Sequence, residues 1–219
     1  MRNLLIALLL AYGCPAWLCA QTATKPVFNT NQDYKFSLVF GLNQPIVLNG
    51  FNVELNYFTK HFVFDYSHGF NLHFGPALVS GENKRQHLKF RVSHSLGFGI
   101  GYRITEQLNV RVEPKLHIWN VYYDDKPYTN DNLIRSYSTF TLGLGAYYRW
   151  LPFRHADNAA KGITVVPSVR WWPNIASTLE NGQFTYRNRI TNDTETHRAN
   201  RIGVGNTPFF GNVSVGYSF

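Results

Sequence analysis

The stretch that decides the fold is His87 to Arg103, which reads HLKFRVSHSLGFGIGYR. Apolar residues occupy every second position from Leu88 to Tyr102, with His94 as the exception, and lysine, arginine, serine and glycine stand between them. A period of two is typical of a β-strand whose two faces meet different surroundings. The cations on the second face do not suit a soluble core, because charged groups are rarely buried there unless they are paired.

The same alternation recurs along the chain. The eight predicted strands span residues 34–42, 51–58, 61–74, 87–103, 108–122, 137–150, 163–172 and 209–219. Two connections, 59–60 and 104–107, are tight, and 151–162 is of moderate length. The connections at the other end are mostly longer and polar, and they comprise residues 43–50, 75–86, 123–136 and 173–208. A soluble sandwich or lipocalin-type barrel would also alternate, but short turns at one end and long loops at the other favour a transmembrane barrel.

Aromatic residues gather at the ends of these segments, as the interfacial girdles of a membrane barrel require. We expect one rim, on the periplasmic side, to carry Tyr34, Phe58, Phe62, Tyr102, Tyr148, Trp150 and Phe219, and the outer rim to carry Phe70, Phe74, Tyr122, Tyr137 and Trp171. The predicted fold is all-β: an eight-stranded antiparallel up-and-down transmembrane β-barrel over residues 34–219, with short periplasmic turns and longer extracellular loops.

The N-terminus has the composition of a secretory signal peptide. Arg2 supplies the positive charge, Leu4 to Ala11 are apolar, and Ala20 precedes the expected cleavage site. The apolar stretch is too short for a spanning helix, which needs about 20 residues. A lipoprotein signal is the alternative, because Ala11-Tyr12-Gly13-Cys14 loosely resembles a lipobox. We expect residues 1–20 to be removed on export, residues 21–33 to form a short periplasmic segment, and the barrel to lie in the cell outer membrane.

Both cysteines, Cys14 and Cys19, lie inside this signal segment, so the mature chain offers no disulfide and no thiolate metal site. We therefore expect no cofactor and no metal. Removing Arg2 lowers the formal net charge of +8 by one, to +7. An exported basic chain does not meet nucleic acid, and the anions that it does meet are lipid phosphates. The expected partners are outer-membrane lipid and lipopolysaccharide, and the expected state is a monomer.

Several predicted inner-face residues are charged, although the interior of an eight-stranded barrel is just wide enough to be filled by side chains. These charges must therefore be paired with one another. Glu54 is expected directly opposite Asp65, so cations must lie near both carboxylates. The predicted lumen ionic network consists of Glu54, Asp65, Arg91, Arg111, Glu113, Lys115 and Arg170. Such a network favours a plugged lumen and a structural or surface-interaction role without catalysis, because each partner would otherwise be a buried unpaired charge. A gate or a catalytic acid is the other interpretation of the same cluster.

A lipid A-modifying, deacylase-like enzyme is the alternative function. Ser67 and His68 are adjacent, but neighbouring side chains on a strand point to opposite faces. The deacylase motif His-x-Ser-Asn is absent from the sequence. An inward His73 or His117 near Ser67 or Ser95 keeps the alternative open, since a nucleophile needs its base within about 3 Å.

Two loops carry weaker patterns. Asp124, Asp125 and Asp131 supply oxygen ligands of the kind that calcium binds, but the EF-hand spacing is absent and solvated carboxylates are the better explanation. The last loop is basic, with Arg187, Arg189, Arg198, Arg201 and His197. This loop is either a site for lipopolysaccharide phosphate or a solvated surface.

The chain ends Val213-Ser214-Val215-Gly216-Tyr217-Ser218-Phe219. A terminal Phe preceded by apolar or aromatic residues at every second position resembles the insertion signal that the barrel-assembly machinery reads, which implies that machinery as a partner. The mature chain resembles the small eight-stranded outer-membrane barrels of the OmpA and OmpX type, and in particular the uncharacterised outer-membrane β-barrel proteins of Bacteroidetes-type bacteria. Residues 66–72 and 140–145 carry that second likeness. The resemblance implies a Gram-negative outer membrane and a fold, but no activity, because the fold carries many functions.

Prolines and glycines on the strands give two finer predictions. Pro114 and Pro167 face the lipid, and we expect a bulge or local break at each because proline lacks an N–H. Glycines should leave room for the long charged side chains of the fifth strand. The expected neighbours are Gly97 with Lys115, Gly99 with Glu113 and Gly101 with Arg111, while Gly143 and Gly145 flank Lys115 and Glu113 from the sixth strand.

Overall fold

A computed structural model describes residues 34–219. The expected signal peptide (1–20) and the expected periplasmic segment (21–33) lie outside these residues. Within the described part of the chain, no helix has the length and apolar character needed to cross a membrane.

Strands make up most of the described chain. In order, the elements are β1 (Phe36–Gly41), α1 (Asn43–Val47), β2 (Phe51–Phe58), β3 (Phe62–Phe74), α2 (Gly81–Arg85), β4 (Leu88–Arg103), β5 (Leu108–Tyr123), β6 (Leu133–Tyr148), β7 (Ile163–Trp171), β8 (Asn174–Ser177), β9 (Gln183–Arg187), β10 (Thr194–Arg198) and β11 (Phe209–Ser218). The predicted segments agree closely with these bounds, and the largest difference is β6, which begins at Leu133 and not at Tyr137.

Eight of these strands form one closed antiparallel ring in the order β1-β2-β3-β4-β5-β6-β7-β11, and β11 pairs back onto β1. Neighbours in the ring are consecutive along the chain except across the segment between β7 and β11. The predicted eight-stranded up-and-down barrel is confirmed. The segment between β7 and β11 was predicted only as a loop, but it contains β8, which pairs with β6, and the β9–β10 hairpin.

The lower part of the barrel is apolar outside and polar inside. Phe64, Ile100 and Leu144 point outward and are 41%, 51% and 53% exposed, whereas polar neighbours such as Asp65 and Thr141 are buried. The exposed apolar side chains continue around the ring, from Phe36 on β1 to Tyr217 on β11. A continuous apolar band on the outside of a closed barrel is the surface that hydrocarbon requires, since every strand is also paired on both sides. This band is called the apolar belt below.

The upper part of the barrel on the side of β3 and β4 has the opposite pattern. Leu72, Phe90 and Val92 are buried inside, where they join a hydrophobic core with Trp119 of β5. The reversal on β3 occurs at Asn71, which has a φ of 55°. The reversal on β4 occurs where the pairing with β5 shifts register, between Val92 and His94. The bulges therefore separate a membrane-facing half from a half whose outside meets water.

This reversal corrects several predicted faces. Leu72, Leu88, Phe90 and Val92 were expected on the lipid side and lie inside. The aromatic rims are corrected as well. Phe74 is buried because of this reversal, Phe58 and Tyr137 are buried because they have the inward phase of their strands, and Tyr122 is buried beside a register shift between β5 and β6. The exposed members of the predicted rims are Phe62, Phe70, Tyr102, Tyr148, Trp150, Trp171 and Phe219. Above the belt the loops fold onto the barrel mouth, and they supply an apolar interior that strand alternation alone does not reveal.

Both strand prolines face outward, as predicted. Pairing between β4 and β5 is interrupted next to Pro114, and pairing between β6 and β7 is interrupted next to Pro167. On the opposite side each proline keeps a paired residue, Leu142 of β6 and Val213 of β11. The predicted local break is confirmed on one side of each proline, and neither position is a bulge.

Candidate functional site: the ionic network in the lumen

Six charged side chains converge inside the lower barrel. Glu54 comes from β2, Asp65 from β3, and Arg170 from β7. The other three, Arg111, Glu113 and Lys115, alternate along β5 and therefore share its inner face. All six are between 0% and 5% exposed. Three carboxylates and three cations thus occupy the same buried space.

Arg111 is the centre of this network. Its Nη1 lies 2.9 Å from Glu54 Oε1 and 3.1 Å from Asp65 Oδ2. The same nitrogen donates to Asn56 Oδ1 at 2.7 Å, and Nε donates to Asn109 Oδ1 at 2.7 Å. One guanidinium therefore joins three strands of the ring and offsets two carboxylates.

The other two cations extend the network upward. Arg170 Nη2 lies 3.4 Å from Glu54 Oε2, and Lys115 Nζ lies 3.2 Å from Glu113 Oε1. Lys115 also donates to Ser67 Oγ at 2.6 Å. Each of the three cations thus has a carboxylate partner, which is the condition under which buried charge is tolerated.

Two aromatic side chains fill the space between the cations. The Tyr147 ring lies 3.9 Å from the Arg111 guanidinium carbon and 4.7 Å from that of Arg170. Trp172 lies 4.5 Å from Lys115 Nζ and 5.1 Å from the Arg170 guanidinium carbon. Such cation–π contacts are strengthened when the cation has lost its water. Tyr147 has the same phase on β6 as Gly143 and Gly145, and Trp172 has the same phase as Arg170, so the alternation agrees with the inward position of both rings.

The pairing differs from the prediction in one detail. Glu54 was expected opposite Asp65, but Glu54 pairs with Ser67, and Asp65 pairs with Asn56. The two carboxylates still meet, because Arg111 reaches both of them.

Arg91 does not belong to the network. It lies on β4 above the register shift, where Phe90 and Val92 point inward, so its side chain is on the outer face. Its inclusion in the predicted lumen set is therefore wrong, because the prediction continued a single phase through the bulge.

Glycines provide the space for the network. A Cβ built on Gly97 would lie 2.6 Å from Lys115 Cγ, and one on Gly101 would lie 2.7 Å from Arg111 Cγ. The register of these two glycines, opposite Lys115 and Arg111, is confirmed. Gly99 lies between the paired residues Gly97 and Ile100, level with Glu113 as predicted, but a Cβ there would meet the Asp65 carboxylate of β3 first.

The glycines of β6 are displaced by one pair from the predicted positions. Gly143 lies opposite Glu113, and Gly145 lies opposite Arg111. A Cβ on Gly143 would collide with the Trp172 indole, and one on Gly145 would lie 2.9 Å from Glu113 Oε2. A side chain at either position would therefore displace a member of the network.

Below the network, an aromatic ring and two arginines lie at the end of the barrel that carries the short turns. Phe58 is buried, and its ring lies 4.0 Å from the Arg149 guanidinium carbon and 5.8 Å from that of Arg103. Arg149 donates to the Tyr34 carbonyl at 3.2 Å, and Arg103 donates to the Glu106 carbonyl at 3.1 Å. Phe58 lies on the same face of β2 as Asn52, Glu54 and Asn56, so the alternation alone predicts that its side chain points inward.

One Ser–His pair forms inside the barrel. Ser95 Oγ lies 2.8 Å from His117 Nδ1, which is the pairing that the sequence left open. The other imidazole nitrogen, Nε2, lies 3.0 Å from Thr141 Oγ1, so a hydroxyl and not a carboxylate faces it. Ser67 and His68 point to opposite sides, and His68 Nε2 lies 3.1 Å from His94 Nδ1 on the outside.

The loop residues that were singled out are spread over the end of the barrel that carries the long loops. Asp124 Oδ2 lies 3.4 Å from His87 Nδ1, and Asp125 Oδ2 lies 3.7 Å from Lys126 Nζ. Within residues 34–219, no group of three or more His, Cys, Asp or Glu side chains has the arrangement of a metal site. The arginines at 187, 189, 198 and 201 are exposed.

His197 is buried, unlike the arginines around it. Its Nδ1 lies 2.8 Å from Gln86 Oε1, and its ring packs between Phe90 and Phe184 at centroid distances of 5.2 and 5.4 Å. Burial lowers the pKa of His197 to about 4. Its assignment to an exposed basic surface is therefore wrong; the side chain anchors the β9–β10 hairpin over the barrel mouth.

The closed ring, the apolar belt and the ion-paired interior define a small transmembrane β-barrel. Comparison with solved structures matches Ail, the attachment invasion locus protein of Yersinia pestis, at 13% identity over 86% of this chain and 100% of that chain, with a TM-score of 0.43. Ail in complex with the heparin analogue sucrose octasulfate matches at 12% identity over 86% and 100%, with a TM-score of 0.41. Ail in a phospholipid bilayer nanodisc matches at 14% identity over 85% and 100%, with a TM-score of 0.37. No protein-family model and no curated protein matches the sequence.

Proposed function

We propose that this chain is an integral protein of a Gram-negative outer membrane, exported by its signal peptide, which acts as a closed structural or surface-interaction barrel without catalysis. The apolar belt supports the membrane location, since single-chain barrels with short turns and long loops are built for that membrane. The last strand supports the barrel-assembly machinery as a partner, because Val213, Tyr217 and Phe219 all face outward at its end.

The charge balance of the lumen is the observation that carries the proposal. Glu54, Asp65 and Glu113 are matched by three cations, and all six side chains are almost fully buried. A permeating ion would have to break these pairs in a space without bulk water, where uncompensated charge is strongly unfavourable. The network therefore acts as a plug.

The experiment is a conductance measurement on the refolded protein in planar lipid bilayers. We expect the wild-type barrel to give no single-channel steps above background. The triple variant Glu54→Ala/Asp65→Ala/Arg111→Ala should conduct, because it removes the centre of the plug. The exposed variant Arg198→Ala is the matched control and should stay silent. Regular conductance steps from the wild type would overturn the closed-lumen proposal.

A lipid-modifying enzyme is the second candidate, and the Ser95–His117 contact favours it. The Thr141 hydroxyl on the far side of His117 argues against it, since Ser–His hydrolases orient the base with a carboxylate. The test compares the lipid A mass spectra of a deletion strain complemented with wild type or with Ser95→Ala. A lipid A species that requires Ser95 would replace the structural proposal with the enzymatic one; identical spectra in all strains exclude lipid A as a substrate.

A further inference from the structure

Three basic side chains lie together on the outer face of β3 and β4, just above the apolar belt. Arg91 of β4 is paired with His73 of β3, and Lys89 lies two residues further up the same face of β4. Tyr128, from the loop between β5 and β6, packs against them: its ring lies 4.4 Å from the His73 ring centroid and 4.4 Å from Lys89 Nζ. These four residues are called the basic face below.

The cations of the basic face differ from those of the lumen in their partners. Each lumen cation has a carboxylate within 4.0 Å, whereas among residues 34–219 neither Lys89 nor Arg91 forms an ion pair. Arg91 Nε is buried and has no hydrogen-bond partner in the described chain. A buried guanidinium nitrogen without an acceptor costs free energy. Arg170 Nε is also unpartnered, but Arg170 has Glu54 to offset its charge, whereas Arg91 has no carboxylate partner within the described residues and is open to an anion.

Tyr128 adds a neutral donor to this face. Burial raises the pKa of its phenol to about 12, although the Arg91 guanidinium nearby works in the opposite direction. The phenol therefore stays protonated at neutral pH and keeps an O–H to donate. Two cations and one hydroxyl are the donor set that suits a phosphate, which has several acceptor oxygens and a double negative charge.

The height of the basic face indicates where the phosphate comes from. Directly below it, the outer face carries Phe70 and the His68–His94 pair, which lead from the basic face to the apolar belt. Further down, Tyr66 and Phe98 are 50% and 60% exposed and form part of the belt. An acyl chain lying along these rings would carry its own headgroup phosphate to the level of Lys89 and Arg91. A soluble anion has no acyl chain to bind the adjoining apolar belt, so the adjacency of the two surfaces favours a lipid.

We propose that the basic face binds the phosphate of a lipid of the outer leaflet, whose acyl chains lie on the belt below it. This inference rests on the proposed outer-membrane location, and it assigns lipid binding to Lys89 and Arg91 and not to the arginines of the last loop. The Arg91 fork contacts two phosphate oxygens, Lys89 neutralises charge, and Tyr128 donates its O–H.

The test is native mass spectrometry of the refolded full-length mature chain in detergent micelles, titrated with lipid A that carries two phosphates. The parallel probe is the same lipid A after its phosphates have been removed. The wild type should bind the phosphorylated lipid, and Lys89→Gln/Arg91→Gln should bind it about 30-fold more weakly, since each lost cation near a lipid surface lowers affinity about fivefold. Arg187→Gln/Arg198→Gln is the matched control and should bind like the wild type. The affinity of Arg91→Lys should lie between those of the wild type and of Lys89→Gln/Arg91→Gln, because lysine keeps the positive charge but loses the two parallel N–H donors of the guanidinium.

Folding is followed separately by heat-modifiable gel migration, so loss of the barrel is distinguished from loss of the lipid. Equal affinity of the wild type for the two lipids would overturn the proposal, as would full affinity in Lys89→Gln/Arg91→Gln. An equal loss of affinity in the Arg187→Gln/Arg198→Gln control would also overturn the proposal, because the lipid would then not be specific to the basic face. Displacement of the lipid by millimolar inorganic phosphate would show a free-anion site and would also overturn it. Conductance measurements remain the test of the closed lumen and do not depend on any of these results.

Discussion

Arg111 and Glu54 are 57 residues apart in the chain, yet Arg111 Nη1 lies 2.9 Å from Glu54 Oε1 inside the barrel. The contact crosses the lumen from β5 to β2, so it forms only when the ring is closed. Buried ion pairs contribute little net stability when they are complete, but the loss of one partner leaves an uncompensated charge. The network is therefore better understood as a requirement for a correctly closed ring than as a source of extra stability.

Removal of Arg111 alone should be severe. Arg111→Met leaves both Glu54 and Asp65 without their shared cation, so we expect the free energy of unfolding to fall by about 3–5 kcal/mol. The double variant Arg111→Met/Asp65→Asn should recover most of this loss, because Glu54 then keeps Arg170 as its partner and no charge is left unpaired. Urea unfolding in micelles, followed by tryptophan fluorescence, measures both values. Arg198→Met, on the exposed hairpin, should change the unfolding free energy by less than about 0.5 kcal/mol. Equal stability of Arg111→Met and wild type would mean that water already solvates the network.

Gly99 and Ile100 are neighbours on β4 that face opposite sides. A Cβ at Gly99 would collide with the Asp65 carboxylate, whereas Ile100 is 51% exposed on the belt. We expect Gly99→Leu to destabilise the barrel by about 2–3 kcal/mol and Ile100→Leu by less than about 1 kcal/mol. Heat-modifiable gel migration across a temperature series compares the two. If Gly99→Leu melts like the wild type, the lumen is wider and wetter than the packed network requires.

The β9–β10 hairpin should open in acid. Burial lowers the pKa of His197 to about 4, from about 6.5 in an unfolded chain. Above pH 6.5 His197 is neutral in both the folded and the opened state, so the hairpin has its full stability. As the pH falls from 6.5 toward 4, only the opened state binds a proton, and the stability of the closed hairpin decreases. The largest loss is on the order of 3 kcal/mol, from the separation of the two pKa values.

Hydrogen exchange of residues 183–198 at several pH values measures this opening. His197→Phe keeps a ring between Phe90 and Phe184 but cannot be protonated, so its exchange should no longer accelerate between pH 6.5 and 4 beyond the intrinsic change. The barrel strands serve as an internal reference in the same experiment. Equal pH dependence in the two proteins would assign the opening to another group.

The sequence predicted the barrel because the period of two is a local property of each strand. It also predicted the inward faces of Glu54, Asp65 and Arg111, which follow from that period. It did not predict which of them touch, because contacts across the lumen depend on the stagger between strands. The displacement of Gly143 and Gly145 by one pair is the same kind of error.

The sequence pattern did not predict where along the strands the lipid-facing surface ends, and this had larger consequences than the stagger. Leu88, Phe90 and Val92 have the same alternation as Phe98 and Ile100, so the pattern alone does not distinguish an apolar residue that faces lipid from one that faces a loop. His94 interrupts the alternation at the change of face, but one polar residue on an apolar face does not by itself distinguish a bulge from an exception within one face. Arg91 was misplaced as a direct consequence.

Asn71 should be essential to this change of face. Its φ of 55° lies in the left-handed region, which asparagine and glycine adopt readily and β-branched residues do not. Its Oδ1 also lies 3.1 Å from His73 Nε2. Asn71→Gly should therefore lose only the side-chain contact, and its unfolding free energy should fall by about 0.5–1 kcal/mol.

Asn71→Val should cost more, about 2–3 kcal/mol, since valine adds the steric penalty of the left-handed backbone to the lost contact. The backbone can escape this strain only by removing the bulge, and that would turn Leu72 outward and His73 inward. Maleimide labelling of a Cys at position 73 reports the face directly in a protein that starts at residue 21, since residues 21–219 contain no other cysteine. We expect rapid labelling of His73→Cys and slower labelling of His73→Cys/Asn71→Val, while Leu72→Cys shows the reverse order. Identical labelling and stability of the glycine and valine variants would show that Asn71 does not hold the boundary between the two halves of the barrel.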